Sequence, residues 1–288
     1  MRFLSNAHTH TTYCDGKSTA RQMIEKAKEL GFTSLGFSGH GEQGFDSNYA
    51  MDDGRELAYV QELRALQQTE DLRIWVGVEE DILAPELVKA RHRKQLDYVL
   101  SSSHYVHNAD GSPAVMDGEF VAIDGSSAQL RRYVDRFMDG DGMAMAKHYY
   151  DVFCAGIREA KPQIIGHFDL IRKNAVKAQL FDENAPAYRR LALDALENIR
   201  GMGVLEVNTG AMARGYMDTP YPLPELLGAW REMGGEVTIT SDCHNAEYLS
   251  YGFDTAMRLL CRTGYRRVLA LGRGSELWEE HRVALLRG

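Results

Sequence analysis

His8 and His10 stand two residues apart in Asn6-Ala7-His8-Thr9-His10, and Asp15 follows closely. Side chains two apart on an extended strand point the same way, so the pair converges on one point, as a two-pronged metal grip requires. Alone, His-x-His is a weak signal, because surface histidines take that spacing by chance. Further along the chain, Ser38-Gly39-His40, Gly77-Val78-Glu79-Glu80-Asp81, Ser102-Ser103-His104, Gly166-His167-Phe168-Asp169 and Ser241-Asp242-Cys243-His244 each end an apolar, β-rich run. Histidine and carboxylate ligation without thiolates suits zinc, iron or manganese, and so many groups are enough for more than one ion. Bridging carboxylates would hold such ions about 3.5–4 Å apart.

The elements that must position these groups follow from periodicity. Strands are expected at Arg2–Ala7, Ser34–Ser38, Arg73–Val78, Tyr98–Ser102, Gln163–Gly166, Val204–Val207 and Glu236–Thr240. Helices are expected at Ser18–Leu30, with a serine cap, and at Glu56–Gln68, where Leu57, Val60, Leu63 and Leu66 recur at helical spacing. Others are expected at Pro85–Gln95, Ala128–Met138, Met145–Lys161, Ala185–Met202, Pro224–Met233, Leu249–Thr263 and Ser275–Leu286. Strand–helix alternation of this kind makes a parallel α/β fold, in which the C-terminal ends of the strands share one active rim. The metal-capable side chains fall at those ends. Tyr105–Ser127 breaks the rhythm with a run rich in Gly, Asp and Ser, and is expected to be a lid or insertion loop over 105–127. With no repeat or linker, residues 1–288 read as a single domain.

Composition narrows the partners. Of 288 residues, 44% are hydrophobic and 26% charged, which is ordinary for a water-soluble globular chain. No apolar stretch nears the ~20 residues of a membrane span, and no signal peptide is evident, so a cytoplasmic protein is expected. Cys14, Cys154, Cys243 and Cys261 are scattered, which argues against disulfides and zinc ribbons. The net charge of -8 disfavours extended nucleic acid and leaves a small molecule as the expected ligand; self-association stays open. His92, His107, His148 and His281 lie away from strand ends and read as surface or structural residues. Cys243, between Asp242 and His244, faces away from them and reads as a packed thiol. Asp139-Gly140-Asp141-Gly142 lacks the later ligands of a calcium loop and reads as a turn.

In order, His8-Thr9-His10, Asp15, Ser-Gly-His40, Gly-Val-Glu79, Ser-Ser-His104, Gly-His167-Phe-Asp and Ser-Asp242-Cys-His244 resemble the polymerase-and-histidinol-phosphatase (PHP) domain family, within it the histidinol-phosphatase branch. The resemblance implies a distorted, TIM-like barrel of seven βα units, (β/α)7, with a three-metal cluster of zinc, iron or manganese. It places His8, His10, Glu79 and Asp242 on one ion, Glu79, His104 and His167 on a second, and Asp15, His40 and His244 on a third. Strand alternation does not choose between Glu79 and Glu80 as the bridge; the family pattern selects Glu79. Glu80 and Asp81 are then expected to orient ligand histidines. Glu206-Val207-Asn208-Thr209-Gly210 leading to Arg214, Pro220-Tyr221-Pro222, and Asp169-Leu170-Ile171-Arg172-Lys173 are also similar to that branch. The stretch after His40, Gly41-Glu42-Gln43, departs from its Ala-Pro-like continuation.

The activity so implied is hydrolysis of a small phosphate monoester, L-histidinol phosphate to L-histidinol and phosphate, as in histidine biosynthesis. The expected nucleophile is a metal-bridging hydroxide. Arg214 and Arg172 are expected to fork onto phosphate oxygens, and Asp169 or a metal-bound water to protonate the leaving alcohol. Three alternatives compete. A PHP-family phosphoesterase acting on nucleotides or oligonucleotides would keep the same ligands. An amidohydrolase would usually carry a lysine for carbamylation where this chain has His104. A non-catalytic metal-binding module would not need its ligands at an open rim.

Overall fold

The apolar runs pair mainly as parallel strands in the computed structural model of the chain, which describes residues 2–283. The strands are β1 (Ser34–Phe37), β2 (Arg73–Asp81), β3 (Tyr98–Ser102), β4 (Val115–Met116), β5 (Glu119–Phe120), β6 (Ile164–Ile165), β7 (Val204–Asn208), β8 (Val237–Thr240), β9 (Arg267–Leu271) and β10 (Trp278–Arg282). One curled sheet runs β1-β2-β3-β6-β7-β8-β9-β10, parallel except for the antiparallel β9–β10 pair, while β4 and β5 form a separate hairpin. The helices are α1 (Ala20–Leu30), α2 (Asp53–Thr69), α3 (Glu86–Gln95), α4 (Ser127–Phe137), α5 (Gly142–Ala160), α6 (Arg172–Ala175), α7 (Pro186–Asn198), α8 (Gly210–Ala213), α9 (Pro224–Glu232) and α10 (Phe253–Arg262).

The central strands are buried along their whole length, as strands covered on both faces must be. Helix α5 shows how the cover is built: Met145, Tyr149, Phe153 and Ile157 recur every fourth residue and are buried. Burial of each such side chain contributes roughly 1.5–3 kcal/mol. Thr19, rather than Ser18, caps α1 in a reciprocal capping box with Gln22, and Asp52 starts α2 one turn earlier than expected by accepting from the Arg55 amide.

Two differences from the sequence expectation alter the sheet. Residues 2–7 form no strand ladder; instead the Gly36 amide donates to Asn6 O (2.9 Å), and just beyond them the Ser38 amide donates to Thr9 O (3.0 Å) and the His10 amide to Cys243 O (3.0 Å). This segment therefore lies between β1 and the end of β8 and draws the two sides of the sheet together. The stretch expected as a helix over Ser275–Leu286 contains β10, which pairs with β9 from Trp278↔Leu271 to Arg282↔Arg267; residues 284–286 lie outside the described ones. The sheet thus has eight strands where seven were expected.

Candidate metal centre and its cavity

Strand β2 runs to Asp81, and its alternation sorts three consecutive carboxylates. Glu79 faces inward: Oε2 lies 3.1 Å from His8 Nε2, 3.5 Å from His10 Nε2 and 3.0 Å from His40 Nδ1. Its Oε1 lies 3.3 Å from His104 Nε2 and 2.9 Å from His167 Nε2. Asp81, two residues on, accepts from the His104 amide (3.0 Å) and meets its Nδ1 at 3.2 Å, the orienting role expected of it. Glu80 turns the other way and meets His92 Nδ1 at 2.7 Å, so it orients no histidine of this cluster.

At the other end of the cluster, Asp242 Oδ1 lies 3.7 Å from His8 Nε2, 3.3 Å from His10 Nε2 and 3.6 Å from His244 Nδ1. Asp15 meets His244 Nε2 at 3.1 Å, His10 Nδ1 at 3.6 Å and His40 Nε2 at 3.9 Å. All nine side chains expected as ligands therefore converge. Three subsets lie close enough to share an ion: His10, Asp15, His40 and His244; His8, His10 and Glu79; and His40, Glu79 and His104. They overlap the grouping implied by the resemblance but divide the histidines differently. Asp242 takes a left-handed backbone (φ 46°) to turn inward, and a Cβ on Gly210 would sit 2.8 Å from its side chain, so this position excludes any larger residue.

The electrostatics show how strongly the buried groups of the cluster act on one another. Burial drives the His10 pKa down, and the neighbouring His244 and His40 carry it to about 3. Burial likewise opposes charge on His8, but Glu206, Glu79 and Asp242 outweigh it and hold its pKa well above the usual value. For Glu79 burial favours the neutral acid, yet His40, His8 and His104 pull its pKa well below the carboxylate range. Among the described residues, His8 Nε2 and His10 Nε2 have no hydrogen-bond partner although carboxylate oxygens surround them. Buried nitrogen atoms aimed at a common point with carboxylates, and not aligned on them, fit metal ligands better than a hydrogen-bonded network.

One supporting residue carried no assigned role in the sequence. Glu206 on β7 is fully buried; its Oε2 lies 2.9 Å from His8 Nδ1 and accepts from Thr240 Oγ1 (2.7 Å), and its Oε1 accepts from Asn208 Nδ2 (2.9 Å). A carboxylate at Nδ1 keeps the proton there and leaves Nε2 free as a ligand. A charged residue within the apolar run Val204-Leu205-Glu206-Val207 was the available signal. We expect Glu206→Gln to lower metal affinity about 10–100-fold in chelator competition; unchanged affinity would remove Glu206 from this role.

The cluster forms the floor of a cavity of about 870 Å³ whose walls include Lys17, Asp46, Tyr49, Tyr105, Phe120, Asp124, Lys173, Arg214 and Tyr221. Arg214 reaches it as expected, with Nη2 3.0 Å from Asp242 Oδ2 and Nη1 donating to Asp242 O at 3.1 Å. Asp169 and Arg172 do not: both are buried outside the cavity lining, where Arg172 Nη1 meets Asp169 Oδ2 (3.1 Å), its Nε meets Glu183 (2.8 Å), and Asp169 accepts from the Leu223 amide (2.9 Å). Helical phase decides this, since Leu170 and Lys173 share one side of the turn and line the cavity while Asp169 and Arg172 share the other.

Within 105–127 the chain forms the β4–β5 hairpin, turned by Asp117 (φ 56°) and Gly118 (φ 84°), the paired positive angles of a tight hairpin turn. Gly118, Glu119 and Phe120 line the cavity. The departure after His40 also has a structural account. Glu42 bonds Arg91 (2.8 Å) and its amide donates to Glu56 (2.7 Å), while buried His92 links Glu56 (3.0 Å) to Glu80 (2.7 Å). A Cβ on Gly41 would lie 3.0 Å from the His92 ring. His92 is thus structural; its pKa rises to about 9 because Glu56 and Glu80 overcome the opposing effect of burial. Cys243 is a buried thiol packed in the core.

A family model described as "PHP domain" matches residues 6–210. Proteins named "Probable histidinol-phosphatase" align from Schizosaccharomyces pombe, at 24% identity over 96% of this chain and 91% of the relative, and from Deinococcus radiodurans, at 27% identity over 93% and 96%. A crystal structure of histidinol phosphate phosphatase from Lactococcus lactis, complexed with zinc, L-histidinol and phosphate, shares the fold with a TM-score of 0.65. Its identity is 18%, over 92% of this chain and 95% of that one.

Proposed function

The chain belongs to the PHP domain family, and on that premise we propose that it is a metal-dependent phosphomonoesterase that hydrolyses L-histidinol phosphate to L-histidinol and phosphate. The observation that carries the reading is Glu79, buried and met by five imidazoles on the floor of an open cavity beside Arg214. The names of the curated relatives and the zinc, histidinol and phosphate of the Lactococcus structure support the substrate. The fold is read as the family's distorted seven-unit barrel, with residues 6–10 standing in for its first strand.

His8, His10, Glu79 and Asp242 would hold one ion, His104 and His167 with Glu79 a second, and Asp15, His40 and His244 a third. Such ions, zinc, iron or manganese, supply Lewis acidity and a water made nucleophilic near neutral pH. The chain's own groups do the positioning. Arg214 offers a planar cation to phosphate oxygens. Tyr221, whose buried hydroxyl has no hydrogen-bond partner among the described residues, offers a donor on the same wall. Glu206 and Asp81 hold the protons and ring orientations of His8 and His104. Tyr105, Phe120 and Asp124 of the 105–127 stretch form part of the cavity wall.

The test is a hydrolysis screen of manganese- or zinc-loaded protein against histidinol phosphate, other small phosphomonoesters, nucleotides and single-stranded DNA. Histidinol phosphate should show the highest kcat/KM, by tenfold or more. Faster turnover of nucleotides or DNA would reassign the substrate within the family.

A further inference from the structure

We propose that Lys173, held by Asp124, protonates the leaving oxygen of the substrate; the inference rests on the phosphomonoesterase reading above. The departing group of an alkyl phosphate is a strongly basic alkoxide, so its loss is assisted by a donor on the side away from the attacking water. Arg214 cannot serve, because a guanidinium does not release its proton. Asp169, the carboxyl expected to do so, lies outside the cavity with its Oδ2 bound to Arg172 and the Leu223 amide.

Lys173 has the needed placement. It lines the cavity, its side chain is 13% exposed, its Nζ donates to Asp124 Oδ2 at 3.0 Å, and the same Nζ sits 4.6 Å from the centre of the Tyr216 ring. A carboxylate on one side and an aromatic face on the other fix the direction of an otherwise flexible ammonium. Asp124 is itself on the cavity wall, within the electrostatic reach of His104 and His167. Arg214 is bonded to Asp242 and His244 across the same cavity, and Asp124 also acts electrostatically on it, so the lysine and the arginine face one shared space above the cluster. Lys17, the other lysine of the lining, is exposed.

The step balances without another reactant. As the oxygen of water bonds to phosphorus, the ester P–O electron pair moves to the leaving oxygen, which takes a proton from Lys173 Nζ. The amine then regains a proton from the water that was consumed, and the products are the free alcohol and inorganic phosphate.

The experiment compares Lys173→Met, Lys173→Arg and Asp124→Asn with wild type on histidinol phosphate and on p-nitrophenyl phosphate, whose phenolate leaves without protonation. Metal content, thermal unfolding and inorganic phosphate binding are measured alongside. Lys173→Met should lose about 10²–10³-fold in kcat on the alkyl ester and less than fivefold on the aryl ester, with phosphate affinity changed less than threefold. Lys173→Arg should not restore the alkyl ester rate, and Asp124→Asn should show the same selectivity more weakly. Equal losses on both esters, rescue by arginine, or a parallel loss of phosphate affinity would make Lys173 a phosphate clamp and overturn the proposal. A wild-type enzyme inactive on both esters would overturn the phosphomonoesterase reading and this step with it.

Discussion

Glu79→Gln should abolish turnover, with a loss on the order of 10³-fold or more, and should lower the bound metal while leaving the fold intact. Glutamine keeps the volume and one acceptor oxygen but removes the negative charge and replaces the other oxygen with an amide donor. In the native site both oxygens are in use, Oε2 toward His8, His10 and His40 and Oε1 toward His104 and His167. No single amide rotamer serves both sides, because whichever side receives the NH2 group faces nitrogen atoms that need an acceptor or an ion. The charge matters as much as the shape. Glu79 is buried, and its low pKa, held down against burial by His40, His8 and His104, means that it is ionised at neutral pH and neutralises cations there. Elemental analysis of the purified variant, circular dichroism and kcat on histidinol phosphate check the prediction. Full metal content with activity within tenfold of wild type would show that Glu79 is not the centre of the site. Glu80→Gln offers the contrast: its partner is His92, so it should disturb the Glu56–His92 link and retain metal.

These two adjacent glutamates also show what can be read from a sequence. That a histidine or carboxylate stands at almost every strand end is visible without coordinates, because strand and helix periods locate the ends and a parallel sheet gathers them. Which of Glu79 and Glu80 points inward is a matter of strand phase, and β2 runs three residues past its expected end, carrying the alternation through Asp81. The same kind of phase error separates Asp169 and Arg172 from Lys173: all three belong to one short motif, and the turn beginning at Leu170 sends only Leu170 and Lys173 to the cavity. Glu206 is inward-facing by pattern, but its partner His8 lies 198 positions away and no local signal links them. Tertiary pairing overrides composition at β10, where Trp278-Glu279-Glu280-His281-Arg282 reads as helical in isolation yet is held as a strand by its ladder to β9. Conversely, the expected first strand gains one backbone bond to β1, from the Gly36 amide to Asn6 O, and the bonds at Thr9 and His10 fall past its end, so it never forms a ladder.

Arg214→Ala should reduce kcat/KM for histidinol phosphate about 10²–10³-fold, the usual cost of deleting one charge-stabilising donor from a phosphoryl or oxyanion site. Arg214 sits on the cavity wall with its side chain one-third exposed, so its charge reaches the cavity even though both terminal nitrogens are bonded to Asp242. Those bonds, to Asp242 Oδ2 at 3.0 Å and to Asp242 O at 3.1 Å, make the arginine an extension of the metal centre. Asp242 in turn has its pKa held far below the carboxylate range: burial opposes ionisation, and Arg214 and His8 are the leading charges that overcome it. Removing the guanidinium therefore has two separable effects, loss of a phosphate contact and loosening of one carboxylate of the cluster. Lysine at 214 distinguishes them. It restores a positive charge but not the planar fork, so Arg214→Lys should recover metal content to near the wild-type level while regaining only about tenfold of the lost kcat/KM. Isothermal titration with inorganic phosphate should show the same order of affinity, wild type above Lys above Ala. If Arg214→Ala binds phosphate and turns over substrate within threefold of wild type, the arginine serves only to hold Asp242, and phosphate recognition must be reassigned to other cavity groups such as Tyr221 and Lys17.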